Sequence, residues 1–287
     1  MKVRDKVVIA AGASAGIGLG AARAFVLRGA RVVVILARRL ERLEKAADEL
    51  KSLGKSAEIG FFSVDLSDKD AVKETANRIR EKYGTPDILF HSSGAGGFYN
   101  VLDETHENMH IHMTHTYFAL YNLVHEFKQD MLNNKNGGHI VIGGGTPVVN
   151  YPFPALGYIG SRSAIRGLAI SLRESLFFSN VKVTYCEPPG ISEGSSYFED
   201  HPGVWERLPF AKLYPILKYL LYDSAENAGK KIVRAVERNS SYYTPLAFRI
   251  NNYFPNSIFF RWFIRRLMHW TAAPSEKGGF TMPGRDS

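Results

Sequence analysis

The chain has 287 residues, 45% of them hydrophobic and 22% charged, with a single cysteine and a formal net charge of +8. That balance excludes a disordered tract, a collagen-like repeat and a disulfide scaffold. Cys186 alone cannot close a disulfide within the chain and no paired-cysteine zinc pattern occurs, so a reducing, intracellular setting on the cytoplasmic side is expected. The basic excess leaves two readings open: an anionic partner such as a phosphorylated ligand or a membrane surface, or a plainly basic surface.

Strand and helix patterns alternate along the chain. Val7 to Ala10 is a short apolar run that predicts a buried parallel strand, and the helical spacing from Ile17 to Arg28 stops at Gly29. Strands are predicted over 31–36, 57–64, 87–90, 139–142 and 181–186. Helices are predicted over 40–53, 69–83, 104–132, 158–178 and 224–237, the last with Ser224 as N-cap. This order predicts βαβ units with right-handed crossovers: an α/β chain with one doubly wound, Rossmann-type parallel sheet of about seven strands flanked by helices. No linker is visible, so one domain is expected over 1–245, followed by an extension over 246–287. No apolar run reaches the ~18 residues of a membrane span. MKVRDKVVIA reads as charge followed by strand rather than as a secretory leader.

Between the first strand and the first helix stands Gly12-Ala13-Ser14-Ala15-Gly16-Ile17-Gly18. Glycines at this spacing allow a tight turn, close approach of backbone to a pyrophosphate, and packing of the helix on the sheet, while the helix start presents N–H groups to the phosphates. Ser14, Ala15 and Ile17 therefore join Gly12, Gly16 and Gly18 as candidate nucleotide contacts. The second strand ends in Arg38-Arg39 with no acid to hold a ribose 2′-hydroxyl. A guanidinium can pair with a 2′-phosphate, which favours NADP(H) over NAD(H). The alternative is that both arginines are solvated loop charges.

These motifs resemble those of the short-chain dehydrogenase/reductase family, over about residues 5 to 240. Ala11 to Gly18 is similar to the family's TGxxxGxG, Asp65-Leu66 to its adenine-contacting pair, and His91-Ser92-Ser93-Gly94 stands in the place of NNAG. Tyr158-Ile159-Gly160-Ser161-Arg162 stands in the place of YxxSK. Ala164 to Leu168 and Pro188-Pro189 most resemble the branch of 3-ketodihydrosphingosine reductases, with steroid and retinoid reductases the near alternative. The resemblance implies hydride transfer between a nicotinamide and a carbonyl or alcohol. It also implies cofactor contacts from Asp65, Leu66, Ser92, Ser93, Gly94, Tyr158, Arg162 and the turn Pro188-Pro189-Gly190-Ile191.

In that family a tyrosine exchanges the proton, a lysine four residues on lowers its pKa and binds the ribose, a serine holds the substrate oxygen, and an asparagine orders a water. Here the tyrosine is Tyr158. The lysine position is Arg162, the serine position falls on Gly145 with Thr146 beside it, and the asparagine position falls on His112. Two functions stay open: a slow reductase, and a nucleotide-binding pseudoenzyme acting as a structural or regulatory subunit. Replacing Gly145 by serine and Arg162 by lysine together is expected to raise the rate by at least ~10², the low end for restoring such groups.

No metal is expected, since His106, His110, His112 and His115 lack the accompanying glutamate of a zinc motif. A substrate lid is expected at about 191–223. Its apolar stretch LPFAKLYPILKYLL fits a lipophilic long-chain or polycyclic substrate, or else a core-covering helix pair. Residues 256–270 place Phe260, Phe263, Ile264, Leu267 and Trp270 on one helical face and Arg261, Arg265, Arg266 and His269 on the other. That pattern fits peripheral binding to a membrane such as the endoplasmic reticulum, or docking on the fold or on a second copy in a homo-oligomer. The spread of the basic residues and the lack of a recognised nucleic-acid motif disfavour a nucleic-acid partner, and none is expected.

Overall fold

Strand β1 (Val7–Ala11), β4 (Ile88–His91) and β5 (Gly138–Gly143) are buried at every position. That is the signature of parallel strands covered on both faces. In the computed structural model, which describes residues 1–95, 101, 104–145, 155–188, 190–191 and 222–244, these strands lie at the centre of one parallel sheet. The others are β2 (Val32–Ala37), β3 (Glu58–Ser63), β6 (Val181–Cys186) and the short β9 (Tyr242–Tyr243), in the order β3-β2-β1-β4-β5-β6-β9. β7 (Gly190–Ile191) and β8 (Tyr222–Asp223) pair separately. The strand order reverses between β1 and β4, whose register runs from Val8 opposite Ile88 to Ala11 opposite His91. A crevice opens beyond the carboxyl ends at such a reversal.

The helices are α1 (Gly16–Leu27), α2 (Leu40–Ser52), α3 (Lys69–Tyr83), α4 (His106–Met113), α5 (Ala119–Asn133), α6 (Leu156–Ser175) and α7 (Ala225–Glu237). One core layer packs Leu120, Leu123, Phe127 and Ile165 against the sheet, and the other packs Phe25, Leu43, Ile232 and Val233. Asp68 caps α3 through the Asp70 and Ala71 amides. Ser224 caps α7 through the Asn227 amide, as its position in the sequence predicts.

Two elements depart from the expected pattern. The helix predicted over 104–132 is divided by a π-helical turn, Thr114–Phe118, between α4 and α5. Such a wide turn shifts the side chains that follow it and leaves no mark in apolar spacing. Helix α6 starts two residues earlier than predicted, where Glu104 Oε2 accepts the Gly157 amide at 3.0 Å, and it ends before the exposed Phe177 and Phe178. Thr146, Pro189, lid residues 192–221 and the segment 256–270 lie outside the described residues.

Candidate active site

The glycine loop leaves β1 at the crevice. Gly12 (φ +74°) and Gly16 (φ +56°) take left-handed backbone conformations that a side chain would strain. The Gly12 amide donates to Leu36 O at 2.8 Å, tying the loop to β2. A Cβ on Gly12 would lie 2.5 Å from the Ser93 amide nitrogen, and one on Gly18 would lie 2.0 Å from Gly12 O. The loop is therefore pressed against the segment that follows β4, where Ser92 Oγ donates to Ala11 O at 3.3 Å. Helix α1 starts at Gly16 behind Ala15, with no side-chain cap and no acid in its first turn. Its leading amides and positive dipole end are thus left for an anion. Ser14, Ala15 and Ile17 are half-buried along the same rim.

Arg38 and Arg39 follow β2 and are exposed. Asp65 stands nearby at the end of the β3 segment. Burial pushes its carboxyl upward, but hydrogen bonds from Ser67 Oγ (2.6 Å) and Ser67 N (2.9 Å), with His115 and Arg38 close by, hold it below the usual range. His115 Nδ1, on the π turn, is 3.7 Å from Asp65 Oδ1. Leu66 is buried, and its carbonyl accepts from Asn122 Nδ2 at 3.0 Å. The loop, the open start of α1 and the cationic end of β2 fit a phosphorylated dinucleotide.

The second half of the site is built by α6 over the ends of β4 and β5. Tyr158 sits in the first turn of α6, and the Arg162 guanidinium one turn on lies 5.3 Å from its ring centroid. Arg162 is 8% exposed. Its Nη1 donates to Gly143 O at 3.3 Å, and a Cβ on Gly94 would lie 2.3 Å from Nη2. Gly145 has φ +80°, and a Cβ there would lie 2.6 Å from Tyr158 Oη and 3.7 Å from Arg162 Nε. A serine at 145 is therefore strained and crowded against the phenol, so the exchange expected to restore a hydroxyl does not simply restore one. The reason is backbone conformation, which residue spacing cannot show.

His112 is 1% exposed and packs on Gly157, whose Cβ would lie 2.4 Å from the ring. Burial, then the Arg162 charge, lowers its pKa to about 4, so it is neutral near pH 7. Sequence reasoning missed one further residue, Thr116, and gave no role to another, His91 of the motif at 91–94. Thr116, on the π turn, is fully buried with its Oγ1 unpartnered beside Gly94 and Arg162. His91, lowered to about 3 by burial and then Arg162, holds Ser93 Oγ through Nε2 at 2.7 Å. Thr116 carries no sequence signal, because only the π turn brings it to Arg162; the motif at 91–94 marks the segment of His91 but not its closeness to the Arg162 charge. Past β6, Glu187 is fully buried and accepts from the Tyr242 hydroxyl. Pro188 lies beside it, and Gly190 and Ile191 form β7 against Tyr222 and Asp223.

The family model for short chain dehydrogenases matches residues 6–197. A 3alpha-hydroxysteroid dehydrogenase of Mediterraneibacter gnavus is 29% identical over 196 residues, covering 67% of this chain and 76% of its own. An uncharacterized oxidoreductase of Mycobacterium tuberculosis is 30% identical over 63% of this chain, a match spanning about half (54%) of that protein's length. Among solved structures, the L-sorbose reductase of Gluconobacter frateurii, complexed with NADPH and L-sorbose, superimposes with a TM-score of 0.72 at 21% identity. That superposition covers 85% of this chain and 97% of the reductase, and it establishes likeness of fold.

Proposed function

The chain belongs to the short-chain dehydrogenase family, and from that premise we propose that it is an NADP(H)-dependent reductase of a lipophilic carbonyl compound. The observation that carries this reading is the meeting of Tyr158 and Arg162 at Gly145, beside a glycine loop shaped for a dinucleotide. When bound, the reduced nicotinamide supplies the hydride. Gly12, Gly16, Gly18 and the start of α1 would hold the pyrophosphate, Arg38 and Arg39 the 2′-phosphate, and Ser92 to Gly94 would lie toward the nicotinamide. Tyr158 delivers the proton to the substrate oxygen. The buried Arg162 cation favours negative charge on that oxygen, and burial, with the Arg162 charge second, keeps a proton off His91 and His112, so neither histidine competes as acid near neutrality.

The NADPH held by the sorbose reductase neighbour and the acid-free end of β2 support NADP(H). The lipophilic substrate rests on the apolar sequence of the lid and on the steroid dehydrogenase among the relatives. A 3-ketosphinganine-like ketone and a steroid ketone are the two leading forms. The basic amphipathic segment 256–270 adds peripheral attachment to an anionic membrane, or contact with a second copy. Liposome binding that is salt-sensitive and lost on removing residues 256–287 supports the membrane form.

The test is calorimetry with NADPH and NADH beside NADPH oxidation against long-chain and steroid ketones. Tight NADPH binding with turnover is expected. Binding without turnover on any ketone supports the second reading, a nucleotide-binding pseudoenzyme, which the missing hydroxyl at Gly145 favours. No binding of either nucleotide overturns both.

A further inference from the structure

We propose that Arg162 donates a hydrogen bond through Nε–H to the substrate's carbonyl oxygen, doing the work of the hydroxyl that position 145 lacks. The inference rests on the reductase reading above. It assigns Arg162 a contact with the reacting oxygen in addition to its charge.

Three observations converge on the space over Gly145. First, the point from which a side chain at 145 would grow lies 2.6 Å from Tyr158 Oη and 3.7 Å from Arg162 Nε. An oxygen near that point is within hydrogen-bonding distance of Oη and close to Nε. Glycine at 145 keeps any side chain of that residue out of it.

Second, the guanidinium is held at its far end. Nη1 donates to Gly143 O at 3.3 Å, and Nη2 is pressed against Gly94. Nε is buried and has no acceptor among the described residues. A planar fork fixed through its terminal nitrogens has a rigidly placed Nε–H, and a buried donor left unmade is costly.

Third, no carboxylate lies within ion-pair distance of Arg162 among the described residues, although the side chain is buried. A buried cation without a carboxylate partner is stabilised by whatever brings negative charge to it. Charge develops there when hydride reaches the carbonyl carbon. The π pair then moves to oxygen, and oxygen takes the Tyr158 proton. The ketone is reduced to the alcohol and the nucleotide is oxidised. Arg162 keeps its protons throughout.

A lysine at 162 keeps the charge and loses this donor, because its stem carries no N–H. Arg162→Lys, the exchange toward the family pattern, therefore weakens the site instead of repairing it. The test uses the full chain, with hexanoate as a carboxylate stand-in for the charged oxygen and phenanthrenequinone as an activated carbonyl. Hexanoate affinity is measured with and without saturating NADPH in the parent, Arg162→Lys and Arg162→Met. NADPH affinity and Tm are recorded for each.

Arg162→Lys is expected to weaken hexanoate binding at least tenfold and to slow quinone reduction about 10²-fold, the loss typical of one oxyanion donor. NADPH affinity should stay within about threefold, the scale of a modest contact rather than a lost charged hydrogen bond. Tm should move little, which separates a lost contact from a misfolded site. Hexanoate binding that is absent in the parent, or unchanged or tighter in Arg162→Lys, overturns the proposal, as does faster quinone reduction by that variant. If the parent binds no NADPH, the cofactor reading falls, while the hexanoate titrations of the free protein still decide whether Arg162 serves the space over Gly145.

Discussion

Gly20 and Gly229 bring two helices together backbone to backbone. A Cβ on Gly229 would lie 2.2 Å from the Gly20 carbonyl carbon, and one on Gly20 would lie 2.0 Å from Ala225 O. Helix α7 thus rests directly on α1, the helix whose start faces the nucleotide site. Gly229→Val forces the two apart in a close-packed layer, where overpacking costs about 1–3 kcal/mol or more. Thermal denaturation should show Tm several degrees lower, and NADPH affinity should fall with it as α1 is displaced. An unchanged Tm would mean that the helices separate freely.

The cationic end of β2 sets cofactor preference. Arg38→Asp places a carboxylate where an NAD-selective site carries one, and it also adds negative charge beside Asp65. Calorimetry should show NADPH affinity falling by at least tenfold, the equivalent of one charged hydrogen bond, with the preference moving toward NADH. Equal NADPH affinity in parent and variant would return Arg38 to the solvated surface.

Among the described residues, Tyr158 brings the proton donor to Gly145. Tyr158→Phe retains the ring beneath the Arg162 guanidinium and removes only the hydroxyl. Turnover of any accepted ketone should fall ~10²–10⁴-fold, the usual range for a lost general acid, with NADPH binding preserved. A variant that keeps the parent rate would place the proton donor elsewhere.

Acid should destabilise the fold in a defined window. His91 and His139 are pushed down to about 3, and His112 to about 4, by burial first and by nearby positive charge second. An unfolded chain protonates these rings near pH 6.5, so it binds more protons than the folded chain below that value. Stability is full above about 6.5 and falls as pH drops toward 4, each histidine adding up to ~1.4 kcal/mol per pH unit. Urea denaturation between pH 7 and 4 should show this slope. His139→Gln, which keeps a partner for Thr184 Oγ1, now 2.7 Å from the ring, should flatten it by about one proton. A slope that is the same in parent and variant would remove His139 from the effect.

By itself the sequence determined the alternation of strand and helix, the glycine loop, the cap at Ser224 and the stop at Gly29, and the placing of Tyr158 and Arg162 one turn apart. These depend on residues close in the chain, where apolar period, glycine conformation and capping chemistry act locally. Only the tertiary structure decided what those residues meet. The +80° φ of Gly145 and the closeness of Tyr158 Oη and Arg162 Nε to its side-chain position arise from how α6 is placed over the end of β5. The π turn at Thr114–Phe118 brings Thr116 to Arg162 and His115 to Asp65. The seating of α7 on α1 joins residues more than two hundred positions apart. Such contacts are set by packing between distant segments, and packing acts on shape and burial that no local pattern of residue types records.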